Sequence, residues 1–381
     1  MRVLHLNAGN ETGGGMVHIL TLLNQIKSDN IFLGLFEEGV FYEKALNSGI
    51  QTVTFTQKNR YDLSVLSRVV RFIYDSQIDI IHTHGPRANL YGYLIKKKTG
   101  VTWMCTVHSD PRNDFLGRGI QGAVFTKLNI AVLKKADHLF AISERFKEML
   151  IDFQIAPQKI TTIYNGINFN DKRTYNLDEL RKELNLDKTD FVIVMVARFD
   201  PVKRHSLAIR SLERVVKNNP ELSIKMLLIG DGPEKKDIEE EVERLGLNHN
   251  VLFLGYQNDV AKYYQLADVT LLTSKTESFP LVLLESAREY TPVITTDVGG
   301  VGKMIPSAEY GFIVKSDDEE HIAETIQKAI ELNKKNLLEK MGTKFYEYTS
   351  ANFSVNSFAE SIITTYKEYL SSGRGSNFNH G

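Results

Sequence analysis

The sequence predicts an α/β protein built from two Rossmann-like, doubly wound domains. Its 381 residues exceed what one hydrophobic core normally organises, so two domains are expected. Short apolar segments alternate with amphipathic stretches along almost the whole chain, which is typical of a parallel sheet covered by helices on both faces. Residues 136–143 and 267–274 also resemble each other: each predicts a helix end, a buried strand and a terminal hydroxyl. Both halves of the chain therefore predict the same kind of unit.

Short, β-branched apolar segments are the predicted strands, and amphipathic stretches such as 207–218 and 235–245 are the predicted helices between them. In the first half the strands are 3–7, 31–36, 51–55, 79–83, 102–107, 138–142 and 160–163. In the second half they are 191–197, 223–229, 251–254, 269–273, 292–296 and 311–314.

The predicted domain boundary follows Tyr164-Asn165-Gly166-Ile167 and gives domains 1–168 and 169–355. The amphipathic stretch 356–370 predicts a final helix that need not pack on the second domain. Residues 371–381 are rich in Gly, Ser and Asn and are predicted to be disordered.

The composition is that of a globular protein, with 42% hydrophobic and 24% charged residues. No apolar run is long enough for a membrane-spanning helix, and the polar start of the chain does not predict a signal peptide. Cys105 is the single cysteine, which excludes an internal disulfide and a multi-thiolate metal site. These features predict a cytoplasmic protein.

The net charge of −1 is unevenly distributed. Residues 1–168 contain 19 basic and 14 acidic side chains, a balance of +5, and the remainder carries 27 − 33 = −6. A mildly basic half suits an anionic ligand or a membrane surface better than nucleic acid, which usually needs a stronger basic excess. Two solvated surfaces that differ by chance explain the numbers equally well.

Gly13-Gly14-Gly15 follows the first predicted strand and precedes a predicted helix. Glycines at this position let the backbone approach a ligand, and the N–H groups of a helix N-terminus bind phosphate. The spacing is not G-x-G-x-x-G and no acidic residue ends the second strand, so a nicotinamide dehydrogenase is disfavoured. A purely structural tight turn explains the glycines as well.

Arg198 and Lys203 follow the first predicted strand of the second half. Two cations at the carboxyl edge of a parallel strand can hold a diphosphate, one as a planar fork and the other as a mobile point charge. Solvated surface cations are the alternative interpretation.

Glu277 and Glu285 enclose the apolar stretch 279–284. Ser278 is expected to cap a helix with Pro280 in its first turn, which would turn both carboxylates toward one side of the helix start. Paired carboxylates there can accept hydrogen bonds from sugar and ribose hydroxyls. The alternative is one glutamate that favours the helix dipole and one unrelated surface glutamate.

Together these motifs resemble the retaining nucleotide-sugar glycosyltransferases of family 4, which have the GT-B fold. The resemblance covers residues 1–370 and implies two Rossmann-like domains that face a central cleft, with the last helix returning to the first domain. The matching features, in order, are the Gly-rich loop, Ser143, Tyr164-Asn165-Gly166-Ile167, Arg198 with Lys203, Gly230-Asp231-Gly232-Pro233, Glu277 with Glu285, and Asp297-Val298-Gly299-Gly300.

The resemblance also implies roles for individual residues. Arg198 and Lys203 would bind the diphosphate, Glu277 the donor sugar, and Glu285 the ribose. His108 would lie beside the reacting carbon of the donor sugar. The implied catalytic residues are His108, Arg198, Lys203 and Glu277, and the implied donor-binding residues are Gly14, Gly15, Arg198, Lys203, Gly230, Glu277, Phe279, Pro280, Leu281 and Glu285.

Four positions depart from the family pattern. Ala197 precedes the arginine where glycine is usual, and Ser278 and Pro280 replace common glycines. Lys303 stands where an acidic residue is often found. These departures leave the charged positions intact and bear on the preference for base and sugar.

His82 and His84 share one face of a predicted strand. A metal site is conceivable, but no third ligand is apparent in the sequence, and no metal is predicted. His84 and Arg87 are instead expected on the acceptor side of the site. A structural strand end is the alternative.

A basic run, Lys96-Lys97-Lys98, and the stretch 115–133 with its neighbouring cations could contact anionic lipid. The cations are Arg118, Lys127, Lys134 and Lys135. Solvated helix faces explain the same pattern.

The sequence therefore predicts a cytoplasmic retaining glycosyltransferase that uses a nucleotide sugar and requires neither metal nor cofactor. The expected acceptor is a glycan or a lipid-linked glycan precursor, with possible peripheral membrane contact and no nucleic acid partner. The alternatives are a nucleotide-sugar epimerase on the same scaffold and a non-catalytic two-domain sugar-binding protein.

Overall fold

The structure is a computed structural model that describes residues 1–10, 14–57, 62–112, 114, 119–171, 173–277, 279–315 and 318–372. It divides into two compact units. The N-terminal unit contains Met1–Asn165 and Val355–Gly381, and the C-terminal unit contains Gly166–Ser354. The last helix therefore belongs to the N-terminal unit, and most of the predicted disordered tail lies outside the described residues.

The N-terminal unit is built on a parallel sheet of seven strands in the order β3-β2-β1-β4-β5-β6-β7, counted over the described residues. The order reverses between β1 and β4, as in a doubly wound fold. The strands are β1 (Val3–Asn7), β2 (Ile31–Leu35), β3 (Thr52–Thr54), β4 (Ile80–His84), β5 (Thr102–Val107), β6 (His138–Ala141) and β7 (Ile160–Thr162).

Helices cover both faces of this sheet, which is why its central strands are apolar on both sides. Alternate residues of β1 belong to different cores: Leu4 and Leu6 to one, Val3 to the other. The helices are α1 (Gly14–Gln25), α2 (Val40–Asn47), α3 (Ser64–Asp75), α4 (Pro86–Thr99), α5 (Gly119–Leu133), α6 (Glu144–Asp152) and, from the end of the chain, α15 (Val355–Ser371), with a 3₁₀ turn at Pro157–Lys159.

Helix α15 packs on the same face of the sheet as α1. Phe358, Ile362 and Tyr366 recur every four residues, and all three are buried with Val3 and Met104. This apolar stripe explains why the final helix belongs to the N-terminal unit.

The C-terminal unit contains a parallel sheet of six strands in the order β10-β9-β8-β11-β12-β13, again over the described residues. The order reverses between β8 and β11, which is the arrangement of a nucleotide-binding Rossmann sheet. The strands are β8 (Phe191–Val196), β9 (Ile224–Ile229), β10 (Val251–Gly255), β11 (Val269–Leu272), β12 (Val293–Thr296) and β13 (Phe312–Val314).

Helices cover this sheet in the same way, with Ile193 and Met195 in one core and Val192 and Val194 in the other. The helices are α7 (Leu177–Glu183), α8 (His205–Asn218), α9 (Lys235–Arg244), α10 (Ala261–Leu266), α11 (Leu281–Arg288), α12 (Val301–Met304), α13 (Glu319–Lys334) and α14 (Leu338–Asn352).

The start of α11 differs from the prediction. The helix begins at Leu281, and Pro280 precedes it in an extended conformation (φ −76°, ψ 98°) instead of lying in its first turn. Ser278, the predicted cap, lies outside the described residues. Among the helices of the described residues, none is long and apolar enough to cross a membrane.

Candidate active site

In the C-terminal unit, the loops after β8 and β11 meet at the point where the strand order reverses. The Thr273 hydroxyl donates a hydrogen bond to the carbonyl of Lys203 (2.9 Å), and the Arg204 guanidinium donates to the carbonyl of Thr273 (2.8 Å). The backbone N–H of Lys275 donates to the carbonyl of Val202 (2.8 Å). These bonds fix the two loops to each other at the edge where open α/β sheets bind ligands.

Lys203 and Glu277 form an ion pair between these two loops. Lys203 Nζ lies 2.5 Å from Glu277 Oε1, and the Ser274 hydroxyl donates to the same oxygen (2.7 Å). Both side chains are partly buried, with exposed fractions of 25% and 15%. Glu277 therefore lies in the loop before α11 and orients Lys203, whereas the sequence analysis placed it at the helix start.

Arg198 is exposed and makes no ion pair with the residues that the structure describes. A loop after β9 supports its backbone: the Phe199 N–H donates to the carbonyl of Asp231 (3.1 Å). Gly230, at φ +144°, lies so close that an added Cβ would sit 2.0 Å from the carbonyl oxygen of Ala197. Only glycine permits this approach, which sets the course of the Arg198 segment.

Glu285 lies on α11 and is half-buried. The Tyr264 hydroxyl donates a long hydrogen bond (3.4 Å) to its carboxylate. Burial raises the pKa of Glu285, and nearby Arg288 partly opposes that rise. A carboxylate in such surroundings is stabilised by further donors, such as ligand hydroxyls.

The segment between the two glutamates is apolar. Phe279 is buried against Gly300, where an added Cβ would approach its ring to 2.6 Å. Pro280 provides no side-chain cap for α11, and the Leu283 N–H donates to the carbonyl of Pro280 (3.1 Å). The N–H groups of Leu281 and Val282 have no acceptor among the described residues and can bind other acceptors.

In the N-terminal unit, histidines occupy the matching reversal point between β1 and β4. His5 Nδ1 lies 3.0 Å from His84 Nε2, and His84 Nδ1 lies 3.0 Å from Nε2 of His108. His5 and His84 are fully buried, and His108 is partly exposed.

A second set of contacts extends this cluster. His82 hydrogen bonds to the Tyr366 hydroxyl on α15 and, at 2.7 Å, to the hydroxyl of Thr106. Tyr366 also lies 3.5 Å from His5 Nε2. Burial lowers the pKa of His5 to about 3 and holds those of His82, His84 and His108 well below the usual range, so all four are neutral near pH 7.

The sequence analysis missed His5. His5, His82 and His84 each offer a nitrogen within 4.8 Å of the others, which supplies the third member that a metal site would need. The parallel register of β1 and β4 places His5 beside His82, and this pairing is visible only in the folded structure. In the structure their nitrogens hydrogen bond to one another, to Tyr366 and to Thr106. That no metal binds remains a prediction.

His84 and Arg87 were expected on the acceptor side. His84 has no exposed surface, and both of its ring nitrogens are hydrogen bonded to other histidines. Its acceptor role stays a prediction. Arg87 is half-buried and paired with Glu37. Its acceptor role stays a prediction.

Gly14 and Gly15 begin α1, and the first turn of that helix contains no acidic residue. The first N–H groups of an α-helix have no acceptor within the helix itself, and such groups can bind an anion. Gly13 lies outside the described residues.

Two Rossmann-like units, with cations and carboxylates at the reversal point of one sheet, define a protein of the GT-B class. The chain belongs to the group 1, family 4 glycosyltransferases: the family "Glycosyl transferases group 1" matches residues 176–348 and "Glycosyltransferase Family 4" matches residues 12–171. It is therefore an enzyme of the transferase type.

Three known proteins illustrate the similarity. N-acetyl-alpha-D-glucosaminyl L-malate synthase of Bacillus anthracis is 28% identical over 376 residues, which cover 94% of this chain and 90% of that protein. A UDP-Gal:alpha-D-GlcNAc-diphosphoundecaprenol alpha-1,3-galactosyltransferase of Escherichia coli is 25% identical, covering 68% of this chain and 67% of its own. The crystal structure of Anabaena HepE in complex with UDP has a TM-score of 0.80 at 21% identity, covers 97% of this chain and 100% of HepE, and shows the shared fold.

Proposed function

We propose that this enzyme transfers a sugar from a nucleoside-diphosphate donor to a hydroxyl acceptor with retention of anomeric configuration. The observation that carries the proposal is the Lys203–Glu277 pair with Arg198 nearby in sequence, at the reversal point of a Rossmann sheet. UDP is the proposed nucleotide, because HepE is described in complex with UDP and the E. coli relative is named for UDP-Gal.

Arg198 and Lys203 are the proposed diphosphate ligands. Departure of the nucleoside diphosphate builds negative charge on the β-phosphate, and fixed cations stabilise that charge more in the transition state than in the ground state. Arg198 is exposed, and Lys203 is already oriented by Glu277. The backbone N–H groups of α1 at Gly14 and Gly15 are further proposed phosphate donors.

Glu277 and Glu285 are the proposed ligands for hydroxyls. Glu277 can accept hydrogen bonds from the donor sugar through its second carboxylate oxygen, because Lys203 and Ser274 both contact Oε1. Glu285 accepts only the long bond from Tyr264 among the described residues, so ribose hydroxyls would satisfy a desolvated carboxylate. Gly230, Phe279, Pro280 and Leu281 complete the proposed donor contacts, and His108 is the proposed polar contact to the donor sugar.

Retention of configuration and independence of divalent metal are part of the same proposal, and the two cations support the second. The departing phosphate oxygen would accept the proton of the acceptor hydroxyl while the new glycosidic bond forms on the same face of the sugar. The cations replace the metal that other transferases use to neutralise the leaving group. Full turnover in excess chelator and an unchanged anomeric configuration by NMR are the expected results; an inverted product would contradict this step.

A lipid-linked glycan precursor is the proposed acceptor, and the name of the E. coli relative supports it. Helix α5 presents exposed Ile120, Val124 and Leu128 at four-residue spacing, close to Lys127. Such a face can rest on an anionic lipid surface. Within the basic run Lys96 is paired with Asp137, which leaves Lys97 and Lys98 for that role.

A panel of nucleotides and nucleotide sugars tests the function. Thermal stabilisation by UDP and UDP-sugars is expected, since a ligand at a hundred times its Kd adds roughly 2.7 kcal/mol to the free energy of unfolding. Incubation of the donor alone separates the alternatives: epimer formation without acceptor indicates the epimerase. Binding of free sugar with no nucleotide effect indicates a sugar-binding protein.

A further inference from the structure

Six side chains of the N-terminal unit form one continuous hydrogen-bonded series, which we call the imidazole chain: Thr106, His82, Tyr366, His5, His84 and His108. Thr106 ends the series inside the protein, with an exposed fraction of 1%. His108 ends it at a partly exposed position, and its Nδ1 is the one ring nitrogen of the series without a partner among the described residues.

Each imidazole in the chain is neutral near pH 7 because burial lowers its pKa. A neutral imidazole has one N–H donor and one acceptor nitrogen. In a series of such rings, the tautomer of one ring dictates that of the next, since every contact needs one donor and one acceptor.

Two arrangements run in one direction through all the contacts. A third, in which Tyr366 accepts from both His82 and His5, leaves the buried Tyr366 hydroxyl proton without an acceptor among the described residues and is disfavoured for that reason. In the first, every histidine carries its proton on Nε2, and the hydrogen bonds run from His108 toward Thr106. In the second, every histidine carries its proton on Nδ1, and the bonds run from Thr106 toward His108. Tyr366 accommodates either arrangement, because its hydroxyl donates to one neighbouring histidine and accepts from the other.

Thr106 decides between these arrangements. Its buried hydroxyl contacts His82 and no other acceptor among the described residues. In the first arrangement His82 donates to Thr106, which leaves the hydroxyl proton of Thr106 buried without an acceptor. In the second, Thr106 donates to His82 and every buried donor is satisfied. Leaving one buried donor unpaired disfavours the first arrangement by about fivefold or more.

We propose that the imidazole chain holds His108 as its Nδ1–H tautomer, so that His108 presents a neutral N–H donor to a ligand oxygen. Thr106, His82, Tyr366, His5 and His84 are then positioning residues for His108. The tautomer stands on the contacts and on the neutral state of the buried rings, whereas the identity of the ligand as the donor sugar rests on the proposed function.

The imidazole chain fixes the position of the proton on each ring and does not conduct protons. Reversal of its polarity would require the Nδ1 proton of His108 to leave and another proton to enter at Thr106, which is buried. Because Nδ1 of His108 already carries a proton, His108 cannot accept one there as a base, and its contribution is a hydrogen bond of fixed direction.

The test is long-range ¹H–¹⁵N NMR on the full-length protein with ¹⁵N-labelled histidine, without ligand, near neutral pH. Single histidine substitutions assign the ring signals. The expected result is the Nδ1–H pattern at His5, His82, His84 and His108. An Nε2–H pattern at His108, or different tautomers within the four rings, would overturn the proposal.

Two matched pairs of variants test the coupling. Thr106→Val keeps the shape of the side chain and removes its hydroxyl, so either arrangement leaves Nε2 of His82 unpaired, as a donor in one and as an acceptor in the other, at comparable cost. The Nε2–H form of His108 should therefore become populated to a similar extent as the Nδ1–H form. Thr106→Ser keeps the hydroxyl and should retain the wild-type spectrum. A folded Thr106→Val protein with the wild-type tautomer at His108 would contradict the coupling.

Tyr366→Phe removes the hydroxyl that links His82 to His5 and so interrupts the imidazole chain. A mixture of tautomers should appear at His5, His84 and His108, whereas Tyr369→Phe, the same change on the same helix, should leave the spectrum unchanged. Because no ligand is present, failure of these tests is distinct from failure of the proposed transfer, which the nucleotide panel measures.

Discussion

Lys203 and Glu277 pair at 2.5 Å across the point where the strand order of the C-terminal sheet reverses. The two residues lie on loops that follow different strands, and hydrogen bonds between those loops hold them together. Lys203, which the sequence analysis assigns to the diphosphate, is thus oriented by Glu277, which it assigns to the donor sugar. The two proposed functions are therefore physically coupled.

This coupling predicts the effect of Lys203→Ala and Glu277→Gln on turnover. Lys203→Ala should lower kcat by on the order of 10²–10³, because a fixed cation stabilises the leaving phosphate in the transition state. Glu277→Gln should also lower kcat, since Lys203 loses the charge that orients it. Steady-state kinetics with the donor found by the nucleotide panel is the measurement.

The control for both variants is Lys236→Ala, which removes an exposed cation paired with Glu240 on α9. It should retain wild-type turnover, because exposed pairs contribute little. Equal activity of all three folded variants would place the diphosphate site elsewhere.

Gly230→Ala should destabilise the C-terminal unit. An added Cβ would meet the carbonyl oxygen of Ala197 at 2.0 Å, and φ is +144°, so the loops must separate at a cost of about 1–3 kcal/mol. Gly302→Ala is the matched control, because nothing lies within 4 Å of its added Cβ. Urea unfolding of both variants measures the difference, and equal stabilities would contradict the packing described for Gly230.

Stability should fall when the pH falls from about 6.5 toward about 4. Burial lowers the pKa of His5 to about 3 and those of His18, His138 and His205 to about 4. These rings stay neutral in the folded state while the unfolded chain takes up protons below about pH 6.5. The stabilisation is therefore complete above that pH and is lost as the pH approaches the folded-state values.

His205 permits a single-residue test of this pH dependence. Its ring is buried, stacks on Phe199 at 4.1 Å, and has no hydrogen-bond partner at either nitrogen within the part of the chain that the structure describes. His205→Phe should reduce the slope of unfolding free energy against pH by up to about 1.4 kcal/mol per pH unit. Urea titrations at several pH values measure the slope, and an unchanged slope would show that His205 takes up a proton without unfolding.

The exposed apolar face of α5 predicts binding to anionic vesicles. Ile120, with an exposed fraction of 87%, and Val124 should insert at the lipid surface. The double variant Ile120→Ser, Val124→Ser should sediment less with anionic vesicles than the wild type. Leu46→Ser, an exposed apolar residue of α2, is the control. Failure of the wild-type protein to sediment with anionic vesicles would remove the membrane contact from the account.

The sequence predicted the fold closely, because parallel strands buried on both faces are continuous apolar segments. Every predicted strand appears with bounds shifted by no more than a residue or so at each end. The family likeness and the two-unit architecture also follow from the order of the motifs, as the comparisons confirm.

The pairings within the sites could not be predicted in the same way. His5 and His84 are far apart in sequence and meet only through the parallel register of β1 and β4. Glu277 and Glu285 were expected toward one side of a helix capped by Ser278, but α11 begins at Leu281, and Glu277 lies in the preceding loop and contacts Lys203. Both contacts depend on strand order, which the sequence pattern alone does not specify.

Calorimetric titration with UDP tests the central claim, that the reversal point of the C-terminal sheet binds a nucleoside diphosphate. The wild-type protein should bind UDP, and the double variant Arg198→Ala, Lys203→Ala should bind it at least about a hundredfold more weakly, since each charge-assisted hydrogen bond contributes about 1.5–3 kcal/mol. Lys236→Ala should bind UDP like the wild type. Wild-type affinity in the folded double variant, or no binding of any nucleoside diphosphate by the wild-type protein, would contradict the account.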